Sequence, residues 1–257
     1  MIEVKNICKS FDNREVLKNI STVFDKGKTN LIIGRSGSGK TVLMKTLIGL
    51  VRPESGEILY NKRNLTTMNK LELKSLRREM GMLFQSSALF DSMTVLENVM
   101  FPLTMFTHDN RKDREKRAKF CLERVNLSDA DGLNTGELSG GMMKRVAIAR
   151  AIALNPDYLF CDEPNSGLDP KTALLIDDLI HDITKEYNIT TVINTHDMNS
   201  VMNIGEKIMF IYEGEKAWEG TKDDIMTSTN KKLNDFVFAS DLFKKVKEVE
   251  NLYNEEG

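Results

Sequence analysis

At 257 residues the chain can bury a substantial core, as one large domain or one domain carrying a helical insert. Its formal charge of -2 leaves no nucleic-acid footprint, so no nucleic-acid partner is expected. Cys8, Cys121 and Cys161 form neither a metal spacing nor a disulfide framework and fit a reducing cytosol, and no run approaches the length of an apolar membrane span, although the chain could bind a partner that has one.

Ile2, Val4 and Ile7 start a strand pattern, and its alternation is clearest over 2 to 5. Phe11 follows, before a polar turn at Asp12-Asn13-Arg14. Phe11 has two readings that its position leaves open: a core aromatic, or a ring that stacks on a nucleobase at the edge of a phosphate site. Val16 to Phe24 reads as a second strand region and Asp25-Lys26-Gly27-Lys28 as a turn.

Asn30-Leu31-Ile32-Ile33 then reads as a buried strand, and Thr41 to Leu50 as a helix. Between them stands Gly34-Arg35-Ser36-Gly37-Ser38-Gly39-Lys40-Thr41, which fills every fixed position of a phosphate-binding loop. Glycines let backbone N–H groups converge on an anion, and the following helix adds its free N-terminal N–H groups and its dipole. Lys40 is expected to reach the β- and γ-phosphates, and the Thr41 hydroxyl to ligate Mg2+.

Arg52 to Gly56 is a turn, Glu57 to Tyr60 a short strand, and Leu65 to Glu79 contains a helix. Met80 to Phe84 is an apolar strand ending at Gln85, which is either a ligand edge or a satisfied polar cap. Residues 86–107 are crowded with apolar side chains, through internal packing or as a docking surface for another protein. A helix is expected from Thr94 with Glu97 as capping-box partner, ended or bent by Pro102. Asp109 to Arg117 is a solvated, charged helix start, and Ser128 to Asn134 a loop.

Ser139, Gly140 and Gly141 open a long apolar-rich helix, a second potential anion site by the same dipole argument. Val146, Ala149, Ile152 and Ala153 form its core stripe. Tyr158 to Glu163 is a buried strand ending in two carboxylates: with a phosphate loop present, Asp162 holds Mg2+ and Glu163 polarises a water. A tight loop, Ser166 to Pro170, leads into a helix from Lys171 to Glu186, and Ile189 to Asn194 is a strand running to Thr195-His196-Asp197. His196 is the imidazole placed to touch phosphate; His181 reads as structural and His108 as inert. Glu206 to Trp218 is a hairpin with Trp218 in the core, and Thr221 onward is helical, with Phe236, Phe238, Leu242, Phe243, Val246 and Val249 as an apolar series. The last residues, Asn254 to Gly257, are expected to fray.

This ordered set resembles the ATPase subunit of ABC transporters over essentially the whole chain. Gly34–Thr41 matches Walker A, Gln85 the Q-loop, Leu138 to Met142 the signature, Leu159 to Glu163 Walker B, Ser166 to Asp169 the D-loop and His196 the switch histidine. Phe11 falls at the aromatic position that stacks on adenine, usually a tyrosine. Met142 replaces the usual signature glutamine; that departure, with Met82 to Ser92 and Asn98 to Leu103, resembles the lipid-asymmetry-maintenance branch that works with MCE-domain proteins.

The resemblance implies an α/β P-loop NTPase of the ABC ATPase type, with a RecA-like core, an antiparallel β subdomain and a helical subdomain. It implies an ATPase domain over 1–225, a helical subdomain at about 86–155 and a C-terminal helical extension over 226–257. It implies a head-to-tail dimer binding ATP and Mg2+ between Walker A of one copy and the signature of the other. Lys40, Gln85, Glu163 and His196 act on the γ-phosphate, and Asp169 crosses the interface. Permease subunits dock near 85–105 at the cytoplasmic face of the inner membrane, with an MCE-domain lipid-binding protein beyond. The alternatives are another ABC importer or lipoprotein extractor, and a soluble ABC protein of translation or repair.

Overall fold

Alternating apolar residues build an antiparallel sheet at the start of the chain. The computed structural model describes residues 1–239. Strand β1 (Ile2–Phe11) pairs with β2 (Arg14–Phe24) on one edge and with β4 (Ser55–Tyr60) on the other, and β5 (Arg63–Asn64) follows β4. Asp12 and Asn13 join β1 to β2 with φ of 48° and 62°, the double left-handed geometry of a tight hairpin loop. The inward residues Ile7, Leu17, Ile20 and Ile58 pack with Leu43, Met44 and Leu47 of helix α1 (Lys40–Leu47).

A second sheet carries the site. Strands β3 (Thr29–Ile33), β6 (Met80–Leu83), β7 (Tyr158–Asp162), β8 (Thr190–Thr195) and β9 (Lys207–Tyr212) run parallel in the order β9-β3-β8-β7-β6. β10 (Glu215–Gly220) closes antiparallel on β9, the expected hairpin. Both faces are covered, so β3 and β8 are buried along their whole length, their Thr and Asn residues included. Ile32, Phe160 and Val192 join the cluster under the first sheet, whereas Leu31, Ile33, Leu159 and Ile193 join a larger cluster against the helices.

Helix α2 (Lys70–Arg78) precedes β6 and begins with an Asn69–Glu72 capping box. Between β6 and β7 the chain leaves the sheet to form α3 (Val95–Phe106), α4 (Arg111–Arg124) and α5 (Gly140–Ala151). The expected capping box is present: Thr94 N–H donates to Glu97 Oε2 at 2.9 Å, and Glu97 N–H to Thr94 Oγ1 at 3.2 Å. Pro102 does not end α3, which continues to Phe106. Burial of Leu103 holds the second half, and Thr107 closes it by donating its N–H and hydroxyl to the Leu103 carbonyl, so packing outweighs the missing bond. The expected loop at Ser128 to Asn134 contains a short 3₁₀ turn, Ser128–Ala130.

Gly81 of β6 lies against the end of α5; a Cβ there would sit 2.4 Å from the Ala151 carbonyl oxygen. The remaining helices are α6 (Pro170–Glu186), α7 (Met198–Ile204), α8 (Lys222–Thr227) and α9 (Lys231–Val237). His181 is half-buried in α6 and His108 is exposed. Trp218 is partly buried against the larger cluster, which Leu233, Val237 and Phe238 also enter, and Phe236 stacks on Phe210 with ring centroids 5.2 Å apart. Leu242, Phe243, Val246, Val249 and the stretch Asn254 to Gly257 lie outside the described residues.

Candidate nucleotide-binding site

Parallel strand order brings the C-terminal ends of β3, β8, β7 and β6 side by side, where ligands bind in open α/β sheets. The loop from β3 to α1 is shaped by missing side chains. At Gly34, with φ of 151°, a Cβ would fall 2.4 Å from the Ile211 carbonyl oxygen and 2.8 Å from Ser38 Oγ. At Gly37, with φ of 76°, nothing lies within 4 Å, so the loop keeps an open concave face. Arg35, Ser36 and Thr41 are exposed, while Ser38, Gly39 and Lys40 are buried.

Lys40 Nζ donates to the Gly34 and Arg35 carbonyls at 2.8 and 3.2 Å. Burial lowers its pKa, and the Glu163 and Asp162 carboxylates act in the opposite direction, so cation and acids face one another. Ser38 Oγ is buried with no protein partner. An orphaned hydroxyl, an ammonium resting on two carbonyls and the free N–H groups of α1 fit a phosphate chain. Among the described residues no group of three or more His, Cys, Asp or Glu forms a metal cage. Thr41, Asp162 and Gln85 are hard oxygen donors, the kind that hold Mg2+ when phosphate oxygens complete the shell.

At the end of β7, Asp162 Oδ1 accepts from Asn194 Nδ2 at 3.0 Å. Glu163 turns left-handed, with φ of 49°, and its N–H donates to the Asn194 carbonyl at 3.0 Å. That turn brings Glu163 Oε2 to 2.8 Å from His196 Nδ1. Gln85 Nε2 donates to Ser166 Oγ at 3.2 Å, linking the end of β6 to the loop after β7. Asp169 caps α6, accepting from the Thr172 N–H at 3.0 Å and the Thr172 hydroxyl at 2.5 Å; these bonds hold its carboxyl below the usual range.

Ser139 stands at the start of α5. It caps α5, accepting from Met142 N–H at 3.3 Å, and both it and Gly140 are exposed. Among the described residues no hydrogen bond joins Ser139, Gly140 or Gly141 to the loop 34–41. Gly141 makes room for α6: a Cβ there would meet Thr172 Cγ2 at 2.7 Å. Phe11 is 45% exposed, which overturns its core reading; it sits at the hairpin tip, beyond the inward residue Ile7, with Lys9 Nζ 5.0 Å from the ring centroid.

Several supporting residues escaped the sequence reading. Lys144, 4% exposed within the apolar stripe of α5, donates to the Gln85 carbonyl at 2.5 Å. Arg150 donates to the Ser87 and Ala88 carbonyls, both at 2.7 Å, and Asn98 bonds the Phe90, Met93 and Thr94 carbonyls. A lysine and an arginine inside a core stripe were the only local signal.

Residues 17–166 match the ABC transporter family. The chain belongs to that family. Over 237 residues it is 37% identical to the intermembrane phospholipid transport system ATP-binding protein MlaF of Haemophilus influenzae, covering 92% of this chain and 90% of that protein. It is 36% identical to the methionine import ATP-binding protein MetN of Clostridioides difficile, covering 92% and 74%. The dimeric structure of MJ0796, a bacterial ABC transporter cassette, superposes with a TM-score of 0.79 at 34% identity, covering 86% of this chain and 98% of that one. A second MJ0796 dimer, in a post-hydrolysis state bound to ADP and Pi, gives a TM-score of 0.78 at 33% identity. This chain is thus an ATP-hydrolysing subunit of an ABC transporter, with the ABC ATPase fold expected above. Among the described residues no helix is long and apolar enough to cross a membrane.

Proposed function

We propose that two copies close head to tail on ATP and energise phospholipid movement between membranes, at the cytoplasmic face of the inner membrane. The observation that carries the ATPase site is the convergence of Lys40, Asp162, Glu163 and His196 at one sheet edge. Gly34 to Thr41 hold the triphosphate of one half-site, and Ser139, Gly140 and Gly141 of the other copy complete it; the exposure of Ser139 and Gly140, with no hydrogen bond to the loop 34–41 among the described residues, supports this division. Phe11 stacks on the adenine. Thr41, Asp162 and Gln85 hold Mg2+, which neutralises charge developing on the transferred phosphoryl. Glu163 orients or deprotonates the attacking water, and His196 steadies the γ-phosphate.

The ATPase domain spans 1–225, with the helical subdomain at about 86–155 and a C-terminal extension from 226. Permease subunits dock near 85–105, where Phe84, Phe90 and Met105 are exposed. The relative MlaF, the signature Met142 and that apolar surface favour lipid cargo over the methionine import of MetN. A detergent pull-down of the full chain decides: recovery of an integral permease and an MCE-domain protein supports the reading. A solute-binding protein in its place, or ribosomes or DNA with no membrane partner, removes it.

Phe11→Ala is expected to weaken ATP binding about tenfold, within the ~1–3 kcal/mol that base–aromatic stacking contributes. The exposed ring contributes little to the fold, so calorimetric titration should show the loss without a lower Tm. Ser139→Arg is expected to block closure without unfolding the monomer. Light scattering with ATP, in a Glu163→Gln background, should then show dimer for the parent and monomer for the double variant.

A further inference from the structure

Behind the loop after β7 lies a group of polar residues that the nucleotide motifs do not include. Asp177, on α6, is 1% exposed. Its Oδ1 accepts from Asn165 Nδ2 at 2.7 Å, and the same nitrogen donates to Ser200 Oγ at 2.9 Å. Ser200, on α7, reaches Asp197 Oδ2 at 3.5 Å through its hydroxyl. Asn165 Oδ1 is itself buried without a partner.

The two ends of this chain of contacts belong to different nucleotide loops. Asn165 adjoins Ser166, which holds the Gln85 side chain, and leads to Asp169. Asp197 and Ser200 follow His196, which holds Glu163. The cleft between the loops is lined by Glu163, Ser166, Thr195 and His196. Burial, with Asp197 and Asp178 adding like charge, pushes the Asp177 carboxyl up to about 6. Among the described residues no lysine or arginine forms an ion pair with it. A buried carboxylate without a cation is costly and persists only where hydrogen bonds compensate it, here from Asn165 and Ser200. Packing alone does not account for an acid here.

We infer that Asp177 is a positioning residue for hydrolysis: through Asn165 and Ser200 it fixes the loop of Ser166 and Asp169 against the segment of His196, so that both sides of the Glu163 carboxylate keep one spacing. The inference rests on the roles proposed above for Glu163 and His196. Asp177 itself touches neither carboxylate nor imidazole. Its effect comes through Asn165 and Ser200, and a shift of about 1 Å among reacting groups can cost about a hundredfold in rate.

Two variants of the full chain, assayed alone and in its membrane complex, test this. Asp177→Leu removes the acid and keeps bulk. The exchange Asp177→Asn with Asn165→Asp reverses donor and acceptor, so the amide at 177 donates to the carboxylate at 165, which also accepts from the Ser200 hydroxyl. Asp177→Leu is expected to lower kcat about ten- to a hundredfold, with KM and ATP affinity within about twofold and a modest fall in Tm from the Asn165 donor left without its acceptor. The exchange should restore most of the rate. An unchanged kcat in Asp177→Leu, a joint fall of kcat, affinity and Tm, or a folded exchange variant that fails to recover would each overturn the inference. Glu163→Gln run in parallel separates the two levels. If it stalls while Asp177→Leu turns over normally, this inference alone fails; if Glu163→Gln turns over normally, the underlying site reading fails first.

Discussion

Glu163→Gln is expected to cut ATP turnover by about 10²–10⁴-fold, the span of a positioned general base, while leaving ATP binding intact. The amide has the shape of the carboxylate and keeps a hydrogen-bonding atom for His196 Nδ1, now 2.8 Å from the acid. The left-handed turn at 163 is held by the backbone bond to Asn194, which the substitution does not touch. What would be lost is basicity at the atom proposed to meet the water. With hydrolysis stalled, the ATP-loaded dimer should accumulate and elute at twice the monomer mass on size-exclusion chromatography. Normal turnover would remove Glu163 from the role.

Lys40→Ala is expected to abolish productive ATP binding, with hydrolysis falling by about 10²–10³-fold or more, as when a preorganised charge-stabilising donor is removed. Two losses combine. The ammonium is buried within electrostatic reach of Asp162 and Glu163, so its loss removes positive charge that would shield a triphosphate from those carboxylates. The bonds to the Gly34 and Arg35 carbonyls also go, and with them a tether that shapes the loop. ATP titration by calorimetry and a thermal melt check this together: affinity should collapse while the fold persists. Retained turnover would contradict the phosphate role.

The nucleotide loops were legible because their signals are short and local. A glycine pattern between strand and helix, or two acids at a strand end, needs few residues, and the strand order then places them. Phe11 stayed ambiguous because burial depends on where a hairpin tip points, which the neighbouring residues do not record. Residues 86–107 split between faces that local sequence could not separate: Val95, Val99 and Leu103 pack inward, whereas Phe90 and Met105 are exposed. Of the two outcomes expected of Pro102, ending the helix is excluded, because a helix-breaking preference is weaker than the packing of Leu103. Lys144, Asn165 and Asp177 escaped notice for a single reason: each acts on a residue far along the chain, and its own neighbours give only the pattern of a core helix or a loop.

The close approach of Gly81 to Ala151 joins two parts of the molecule that look independent. Helix α5 is pinned to β6 twice, by backbone contact at Ala151 and by the reach of Lys144 to Gln85. The strand that delivers Gln85 and the helix that presents Ser139 therefore behave as the two arms of one rigid bracket. Even a single methyl at 81 would wedge that bracket open, shifting together Gln85 and Ser139, the two residues proposed above to serve different half-sites.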